Sequence, residues 1–376
     1  MQFPVGASVT LADLESDPHP VLAELRAHEP VSWLPALNGW LVTGRDLALE
    51  VMRDADTFTV DDPRFSTGQV VGKSMLTLDG DEHARHRGPF AQRFRLEDVR
   101  QDYTEYVEDE AMRLIEAIAP AGRGELRRDL AGPLAAAVVA RSLGLEHADI
   151  AKMLGWYDAI VSAVTGVAAG RPVTAAARDA FSELRDSIEP ALAADTATLT
   201  EDEAVSNAAV LLFGGIETTE GMIVNAIFHA LSNGEALAEL RADPALVPAA
   251  VEESLRLEPA AAVVDRYSRR DVSIGGADVR RGDLVEISLA GANRDPSFFA
   301  DPDRFDLHRE RARHHVTFAQ GPHVCLGMHL ARLEAQTALR LVLDRLPNLR
   351  LDPEKPTAPR GLVFRKPPTL DVLWSP

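Results

Sequence analysis

Cysteine is almost absent from this chain of 376 residues, which contains only Cys325. One cysteine cannot form an intramolecular disulfide, so the chain is not a small disulfide-stabilised secreted domain, and a reducing compartment is expected. A single thiol also cannot supply the several thiolates of a structural zinc or iron–sulfur site. The sequence therefore raises the question of why one thiol is kept at this position.

Basic residues are scarce relative to acidic ones. Lys and Arg number 39 against 58 Asp and Glu, which gives a formal net charge of −19. Nucleic-acid phosphates would repel such a chain, so a nucleic-acid partner is not expected. The first twenty residues lack the basic region and apolar core of a signal peptide. We also expect no apolar run long enough to cross a bilayer. These features predict a cytoplasmic protein with no membrane partner.

Internal repeats and Ser/Gly-rich linkers are missing too, so a single unit over residues 1–376 is predicted. Most of the chain has the spacing and composition of helices. The fold class is therefore predicted to be mainly α with small β-sheets, which excludes a doubly wound sheet. The predicted β units are a hairpin at 31–44 turning at Asn38-Gly39, a unit at 272–289 turning at Gly275-Gly276, and a unit at 361–374 that Pro367-Pro368 interrupts.

One predicted helix is unusually long. Thr200 and Glu203 form a capping-box pattern, Leu199 precedes them as a hydrophobic staple, and Asn233-Gly234 provides a C-terminal stop. A helix of about 32 residues between these signals would be roughly 48 Å long. Its middle is apolar on all sides, so we expect it to run through the core.

The middle of that helix contains Gly214, Gly215, Glu217 and Thr218, which are costly there. Each glycine costs a helix interior roughly 1 kcal/mol, and a buried carboxylate needs a partner. A close crossing with another helix would explain the glycines alone. A flat ligand lying against the glycines and served by Glu217 and Thr218 would explain all four. The Thr218 hydroxyl is predicted to bond back to the Gly214 carbonyl.

The cysteine lies in the stretch FAQGPHVCLG, residues 318–327, just before a helical run. The dipole and free N–H groups of a helix N-terminus stabilise a thiolate. Glycines allow a loop to turn those N–H groups toward the sulfur. Such an environment suits a thiolate that ligates haem iron.

Three other interpretations of Cys325 remain. A buried structural cysteine leaves the glycines and His323 unexplained. A nucleophile paired with His323 is disfavoured, because Cys and His two residues apart in a loop seldom align. A zinc site from His323, Cys325 and His329, with His314 or His315, matches no standard ligand spacing.

Five segments, taken in order, resemble the cytochrome P-450 family of haem-thiolate monooxygenases of the soluble bacterial type. The resemblance extends over nearly the whole chain, and the cysteine loop departs from the family pattern at Ala319, where glycine is usual. It implies a triangular, mainly helical prism with heme b (iron protoporphyrin IX) between the long helix and the cysteine loop. The segments are LDGDEHARHRGPF (78–90), GGIETT (214–219), EESLR (252–256), ANRDPSFFADPDRFDLHR (292–309) and FAQGPHVCLG (318–327).

The same resemblance implies roles for individual residues. Cys325 would be the axial ligand of the iron, and Thr218 with Glu217 would deliver protons during oxygen activation. His83 and Arg87 are four apart and so share a helix face, from which they could bind one propionate together. Glu253, Arg256 and Arg304 would form a buried ion network. The residues expected to contact the cofactor are His83, Arg87, Gly214, Arg266, Phe318, Gly321, His323 and Cys325.

The implied activity is insertion of one atom of O₂ into a small apolar organic substrate. Electrons would come from a separate ferredoxin and ferredoxin reductase, because the sequence contains no flavin or iron–sulfur domain. A peroxide-driven oxygenase is an alternative, although that branch typically has Arg-Pro in place of the acid–threonine pair. A haem sensor is a further alternative, although it would have no need of Glu217 and Thr218.

Family position also predicts the surroundings of the site. Residues 59–75, 260–264 and 361–364 are expected to approach the substrate pocket. Their small and aliphatic side chains, in a chain with only 6% aromatic residues, favour a roomy apolar cavity. Residues 182–204 pass almost directly from one helix to the next and look shortened relative to the family. A basic docking patch for the electron donor would use Arg93, Arg95, Arg309, Arg311, Arg313 and Arg332, which are equally compatible with ordinary surface charge.

Overall fold

The computed structural model describes residues 3–145, 149–168, 171–192 and 198–375. Helices dominate these residues, as the sequence predicts. They are α1 Pro4–Ser8, α2 Leu11–Ser16, α3 His19–His28, α4 Arg45–Arg53, α5 Ser66–Val71, α6 Gly80–Ala91, α7 Leu96–Asp102, α8 Thr104–Ile118, α9 Gly132–Ser142, α10 Ile150–Ala168, α11 Ala175–Leu192, α12 Glu201–Ser232, α13 Gly234–Ala242, α14 Val247–Leu257, α15 Leu289–Ala292 and α16 Met328–Arg345.

Three small sheets accompany the helices. The largest has the strand order β1-β2-β8-β5-β3, a second has β4-β10-β9, and β6 pairs with β7 alone. The strands are β1 Val31–Leu34, β2 Gly39–Val42, β3 Phe58–Thr59, β4 Arg123–Glu125, β5 Val263–Ser268, β6 Val272–Ile274, β7 Ala277–Val279, β8 Leu284–Ser288, β9 Arg350–Leu351 and β10 Asp371–Leu373. The prediction of a mainly α fold with small sheets is confirmed.

The predicted β units form as expected in most respects. Strands β1 and β2 pair with Trp33 opposite Trp40, and Asn38 adopts the positive φ of 48° that the tight turn requires. Gly275 and Gly276, both with positive φ, connect β6 to β7. The end of the 272–289 unit, β8, instead joins the large sheet between β2 and β5. In the third unit only β10 is a full strand, because the two prolines interrupt pairing before it.

Helix α12 has the predicted bounds and lies through the core. The Thr200 side chain accepts from the Glu203 N–H, and the Glu203 carboxylate accepts from the Thr200 N–H. By length and composition alone α12 is also apolar enough to cross a membrane, contrary to the sequence expectation. However, 78% of its apolar window is buried inside the fold, as in the core helix of a globular protein. The predicted shortening before α12 includes residues 193–197, which lie outside the described residues.

Candidate functional site

The middle of α12 presents one accessible stripe. Between Ala204 and Ile227 every residue is buried except Leu211, Gly214, Gly215 and Thr218. These four positions follow the i, i+3, i+4, i+7 spacing of one helix face. An accessible face on a helix that is otherwise enclosed indicates that this face borders a cleft inside the molecule.

The two glycines, Gly214 and Gly215, have different surroundings. A Cβ at Gly215 would lie 2.5 Å from Cγ2 of Val139 on α9, so Gly215 allows the close helix crossing. A Cβ at Gly214 would meet no atom within 4 Å. The interpretation as a close helix crossing is therefore confirmed for Gly215, whereas Gly214 leaves open space that a ligand could occupy.

Thr218 follows the stripe one turn after Gly214. Its hydroxyl donates to the Gly214 carbonyl at 2.6 Å, as the sequence predicts. The α-helical pattern nevertheless continues through this turn without interruption. The hydroxyl oxygen is thereby held on the cleft side of α12 with lone pairs left to accept a second hydrogen bond.

Glu217 is buried and its two oxygens are engaged away from the stripe. Lys366 lies 2.8 Å from Oε1, and the hydroxyl of Tyr157 donates to Oε2. Lys366 also lies 2.7 Å from Oε1 of Glu220, which accepts from Arg127 as well. Burial and the Glu217 carboxylate raise the pKa of Tyr157, so Tyr157 remains a proton donor. This cluster was not foreseen, because Tyr157 and Lys366 are distant from Glu217 in sequence.

The cysteine loop lies just before α16. The Cys325 N–H donates to the Phe318 carbonyl at 2.8 Å, and Gly327 is the N-cap of α16. Gly321 has a φ of 78°, and a Cβ there would lie 2.4 Å from the Met52 carbonyl oxygen. Only glycine fits both conditions, so Gly321 fixes the loop against the end of α4. Ala319, at the position where the family usually has glycine, also adopts a positive φ, of 56°.

The Cys325 thiol faces a cleft inside the protein. Its side chain is accessible to solvent although protein atoms surround it, and burial raises the pKa of the thiol. The pKa of the thiol is lowered in part, and the thiolate favoured, by the Gly327 N–H and by the guanidinium groups of Arg87 and Arg332. The neighbouring Leu326 packs into the same hydrophobic clusters as Leu211 of the α12 stripe. The cysteine loop and the stripe are therefore connected to the same two parts of the core.

Helix α6 brings two predicted anion-binding residues to the same region. The buried His83 has an Nε2 atom with no hydrogen-bond partner, and burial together with His323 and Arg87 lowers its pKa to about 4. Arg87 donates to the Val324 carbonyl at 2.7 Å, next to Cys325. Burial lowers the pKa of Arg87, but the guanidinium stays charged. The predicted pair therefore reaches the cysteine loop.

Arg266 and His323 complete this group of cationic and donor residues. Arg266 on β5 is only 5% exposed; it donates to the Asp265 carbonyl, and no carboxylate of the described chain forms an ion pair with it. The ring centroid of His323 lies 4.4 Å from that of His83. However, His323 Nε2 lies 2.9 Å from Asp79, a carboxylate that was not predicted here. Burial would raise the pKa of Asp79, but hydrogen bonds from His323 and Thr59 outweigh it and lower the pKa.

The zinc interpretation of Cys325 finds no support in the described residues. The single group of three metal-ligating side chains found among them is Glu82, His86 and Glu203, which excludes the cysteine. Arg85 forms ion pairs with both of those glutamates, so a cation of the protein already engages them. The predicted ligand His315 is buried beside Glu252 at 3.0 Å.

The predicted ion network forms with one different member. Glu253 and Arg256 are completely buried and pair at 2.8 Å. The second cation on Glu253 is Arg309, at 2.8 Å, whereas Arg304 is exposed and contributes only its backbone carbonyl to Arg256 and Arg309. The prediction of Arg304 is therefore wrong. Arg309 follows a turn that brings it back over α14, which the sequence spacing alone does not reveal.

The predicted basic patch is smaller than expected. Arg309 is bound to Glu253, and Arg332 pairs with Glu252 at 2.6 Å. Arg93 is half-buried and donates to the Ser142 carbonyl. Arg95, Arg311 and Arg313 remain exposed.

Segments from three parts of the chain meet near α12. Phe364 packs edge-on against Phe213 of α12, with ring centroids 5.6 Å apart. Its backbone forms a bridge with Ala261, and Val363 accepts from the Ala262 N–H. Val70, Val71 and Met75 belong to the same hydrophobic cluster as Phe213. These contacts are apolar, and the roomy cavity that the sequence predicts stays a prediction.

Comparison with known proteins places this site in a family. The model of the family "Cytochrome P450" matches residues 174–374. Cytochrome P450 monooxygenase PikC of Streptomyces venezuelae is 34% identical, over 96% of this chain and 90% of the relative. Nocardicin C N-oxygenase of Nocardia uniformis subsp. tsuyamanensis is also 34% identical, over 99% and 98%.

Solved structures agree with the sequence comparisons. CalO2 superposes with a TM-score of 0.88 at 27% identity, over 97% of this chain and 98% of that chain. P450BioI, in complex with an acyl carrier protein that carries hexadec-9Z-enoic acid, superposes with a TM-score of 0.86 at 29% identity, over 97% and 99%.

The residues present fit the haem of this family. A thiol faces an internal cleft, Gly214 leaves open space on the opposite helix, and His83 and Arg266 are buried donors without a carboxylate partner among the described residues. A flat dianionic macrocycle that takes a thiolate ligand would meet all of these groups. The chain belongs to the cytochrome P450 family of haem-thiolate monooxygenases, with heme b as its cofactor.

Proposed function

We propose that Cys325 is the axial thiolate ligand and that this chain hydroxylates, or otherwise oxygenates, a small apolar molecule in natural-product metabolism. The observation that carries the proposal is that the accessible Cys325 and the α12 stripe adjoin the same two hydrophobic clusters, through Leu326 and Leu211. The haem, when bound, supplies the reduction and cleavage of dioxygen. One oxygen atom enters the substrate and the other leaves as water, and the reaction consumes two electrons and two protons.

The residues around the thiolate hold the cofactor and set its charge. Arg266 and the α6 pair His83 and Arg87 would bind the propionates, because each is a buried or half-buried donor near the cysteine loop. Asp79 is bonded to Nε2 of His323, so His323 would contact a propionate through its other ring nitrogen, Nδ1. The macrocycle would also make nonpolar packing contacts with Phe318, Gly321 and Gly214. The Gly327 N–H and Arg332 would stabilise the thiolate.

Proton delivery is assigned to Thr218 and Glu217. The Thr218 hydroxyl donates to the Gly214 carbonyl. Its oxygen is therefore free to accept a hydrogen bond from a proton donor in the cleft. Glu217, the preceding residue, is an ionisable group that can bring protons from the solvent side. An oxygenase driven by peroxide would not need this pair, so the pair favours O₂ as oxidant.

The substrate is proposed to be apolar because the segments expected to approach the pocket carry apolar side chains, such as Phe364 against Phe213. The relatives described above differ in what they act on, since one is a nocardicin C N-oxygenase and P450BioI binds an acyl carrier protein. The pocket lining therefore selects the substrate within a shared fold. The electron donor is proposed to be a ferredoxin with its reductase, docking near Arg95, Arg311 and Arg313, and the chain is proposed to be cytoplasmic.

A turnover assay tests the proposal. The purified holoenzyme with ferredoxin, reductase and NADH should oxidise a molecule from an apolar natural-product library that shifts its Soret band to shorter wavelength. Turnover by hydrogen peroxide alone, at an equal rate and without dependence on Glu217 and Thr218, would support the peroxide-driven alternative instead. Absence of any oxidation with either oxidant would favour a haem sensor.

A further inference from the structure

Lys366 is the residue that fixes the position of Glu217. Its side chain is 11% exposed, and its ammonium group lies 2.8 Å from Glu217 and 2.7 Å from Glu220. Tyr157 donates to the other oxygen of Glu217. Both oxygens of this carboxylate are thus bound on the side of α12 that faces α10 and the C-terminal segment. Adjacent helix residues differ by about 100° in direction, so the carboxylate is held away from the face that carries Thr218.

A proton relay through Glu217 requires this arrangement to open. While Lys366 and Tyr157 engage its two oxygens, the Glu217 carboxylate is not turned toward Thr218. Glu217 must leave Lys366 to accept a proton from water and pass it toward Thr218, after which it is again a carboxylate. Lys366 keeps Glu220 as a partner when this happens. Because no buried charge is left unpaired, the opening is much less costly than breaking an isolated buried pair.

The segment that carries Lys366 also carries Phe364. Residues two apart in an extended segment project to the same side, and Pro367 restricts Lys366 to an extended backbone. Phe364 contacts Phe213, and Lys366 contacts Glu217, which is one helical turn further along α12. Arg365 projects to the opposite side and pairs with Glu258 at 2.7 Å, which anchors the segment. The segment 364–366 therefore contacts both the apolar Phe213 and the acidic Glu217 of α12.

We propose that Lys366 is a positioning residue that withholds Glu217 from proton delivery until a ligand in the apolar pocket displaces Phe364. This inference rests on the proposed function, since it takes Glu217 as the proton donor. It predicts that substrate-free enzyme consumes O₂ slowly because the relay is closed, and that filling the pocket opens it.

The first experiment measures NADH consumption and hydrogen peroxide in the reconstituted holoenzyme without substrate. We expect Lys366→Met to consume NADH several-fold faster than the parent and to flatten the dependence of that rate on pH, while Lys366→Arg restores the parent behaviour. Lys355→Met is the matched control, because Lys355 lies in the same C-terminal region and pairs with Asp371 at the surface. The double variant Lys366→Met/Glu220→Gln keeps the local charge balance should the single variant fold poorly.

A second experiment does not depend on turnover. Linkage requires that a ligand which weakens the Lys366–Glu217 pair binds more tightly when the pair is absent. We expect 4-phenylimidazole, a bulky apolar probe, to bind Lys366→Met several-fold more tightly than the parent in a spectral titration. Imidazole, which is too small to reach Phe364, should bind both equally. Equal binding of 4-phenylimidazole to both proteins would overturn the coupling.

Failure of the inference differs from failure of the proposed function. If Glu217→Gln leaves NADH consumption and its pH dependence unchanged, Glu217 is not the proton donor and the proposed relay is wrong. If Glu217→Gln slows the enzyme but Lys366→Met and the double variant both match the parent, the relay stands and Lys366 has no positioning role.

Discussion

The Thr218 hydroxyl donates to the Gly214 carbonyl at 2.6 Å on the one face of α12 that borders the internal cleft. This bond uses the hydroxyl proton and leaves the oxygen as an acceptor toward the cleft. It also explains how a polar side chain is tolerated in the core helix, because its donor is satisfied within the helix.

Replacement of Thr218 by Ala should uncouple oxygen consumption from product formation. The change removes only the hydroxyl, so folding and haem content should match the parent. Because positioned acid–base groups contribute about 10²–10⁴-fold, product per NADH should fall by at least about tenfold, with hydrogen peroxide rising to compensate. Product and peroxide are measured per NADH consumed with an identified substrate. Thr219→Ala is the control, since Thr219 is buried beside Thr218 and off the stripe. Equal product yields from Thr218→Ala and the parent would remove Thr218 from the relay.

Arg266→Leu should accelerate loss of haem. It removes a buried cation that forms no ion pair with a carboxylate of the described residues. A lost hydrogen bond to a charged group costs about 1.5–3 kcal/mol, which corresponds to roughly 10–100-fold faster release. Transfer of haem to apomyoglobin measures the rate. His323→Leu should have a smaller effect, because Asp79 holds one of its ring nitrogens. The exposed Arg281 gives a control variant, Arg281→Leu. Unchanged release from both Arg266→Leu and His323→Leu would refute the propionate assignment.

Arg309→Leu should destabilise the fold far more than Arg304→Leu. Arg309 donates to the buried Glu253, and loss of a hydrogen bond to a charged group costs about 1.5–3 kcal/mol. The exposed Arg304 side chain should contribute less than about 1 kcal/mol. Thermal unfolding of the two variants, compared at one pH and one haem content, measures the difference. Equal losses from both would mean that Arg304 belongs to the network after all.

Glu286→Gln should stabilise the protein at neutral pH and have no effect in acid. Glu286 and Asp265 lie opposite each other on β8 and β5. Burial raises the pKa of Asp265 to about 6, and burial and the Asp265 charge raise the pKa of Glu286 well above its usual value. Raised folded-state pKa values mean that the native state holds protons that the unfolded state has released. The contribution of these carboxyls to stability is therefore greatest below pH 4, and it falls as the pH rises through 6.

Thermal midpoints measured from pH 4 to pH 8 test this. The midpoint of Glu286→Gln should exceed that of the parent at pH 8, and the two should converge near pH 4. The exposed Glu310 supplies a control, Glu310→Gln, which should follow the parent at every pH. The raised pKa values of these two carboxyls would be contradicted if the thermal midpoint of the parent rose between pH 5 and pH 8 and Glu286→Gln did not increase it.

Local sequence signals were sufficient where the interaction itself is local. The capping box at Thr200, the turn at Asn38 and the Thr218–Gly214 bond each involve residues within four positions of one another. Their geometry follows from the backbone alone, so the sequence predicts them.

The errors and omissions concern contacts between distant segments. Tyr157 and Lys366 reach Glu217 across 60 and 149 positions, and Asp79 reaches His323 across 244. Arg309 rather than Arg304 pairs with Glu253, because the chain turns between them. A sequence shows that a buried carboxylate needs a partner, but the choice among many basic residues depends on tertiary packing.

Ligation of the haem by the Cys325 thiolate is measured by the spectrum of the reduced carbonyl complex. Thiolate ligation predicts an absorption maximum at about 450 nm for the parent, and loss of that band in Cys325→Ser prepared with equal haem content. A colourless protein that contains zinc, or a Cys325→Ser variant that keeps the band, would show that Cys325 is not the haem ligand.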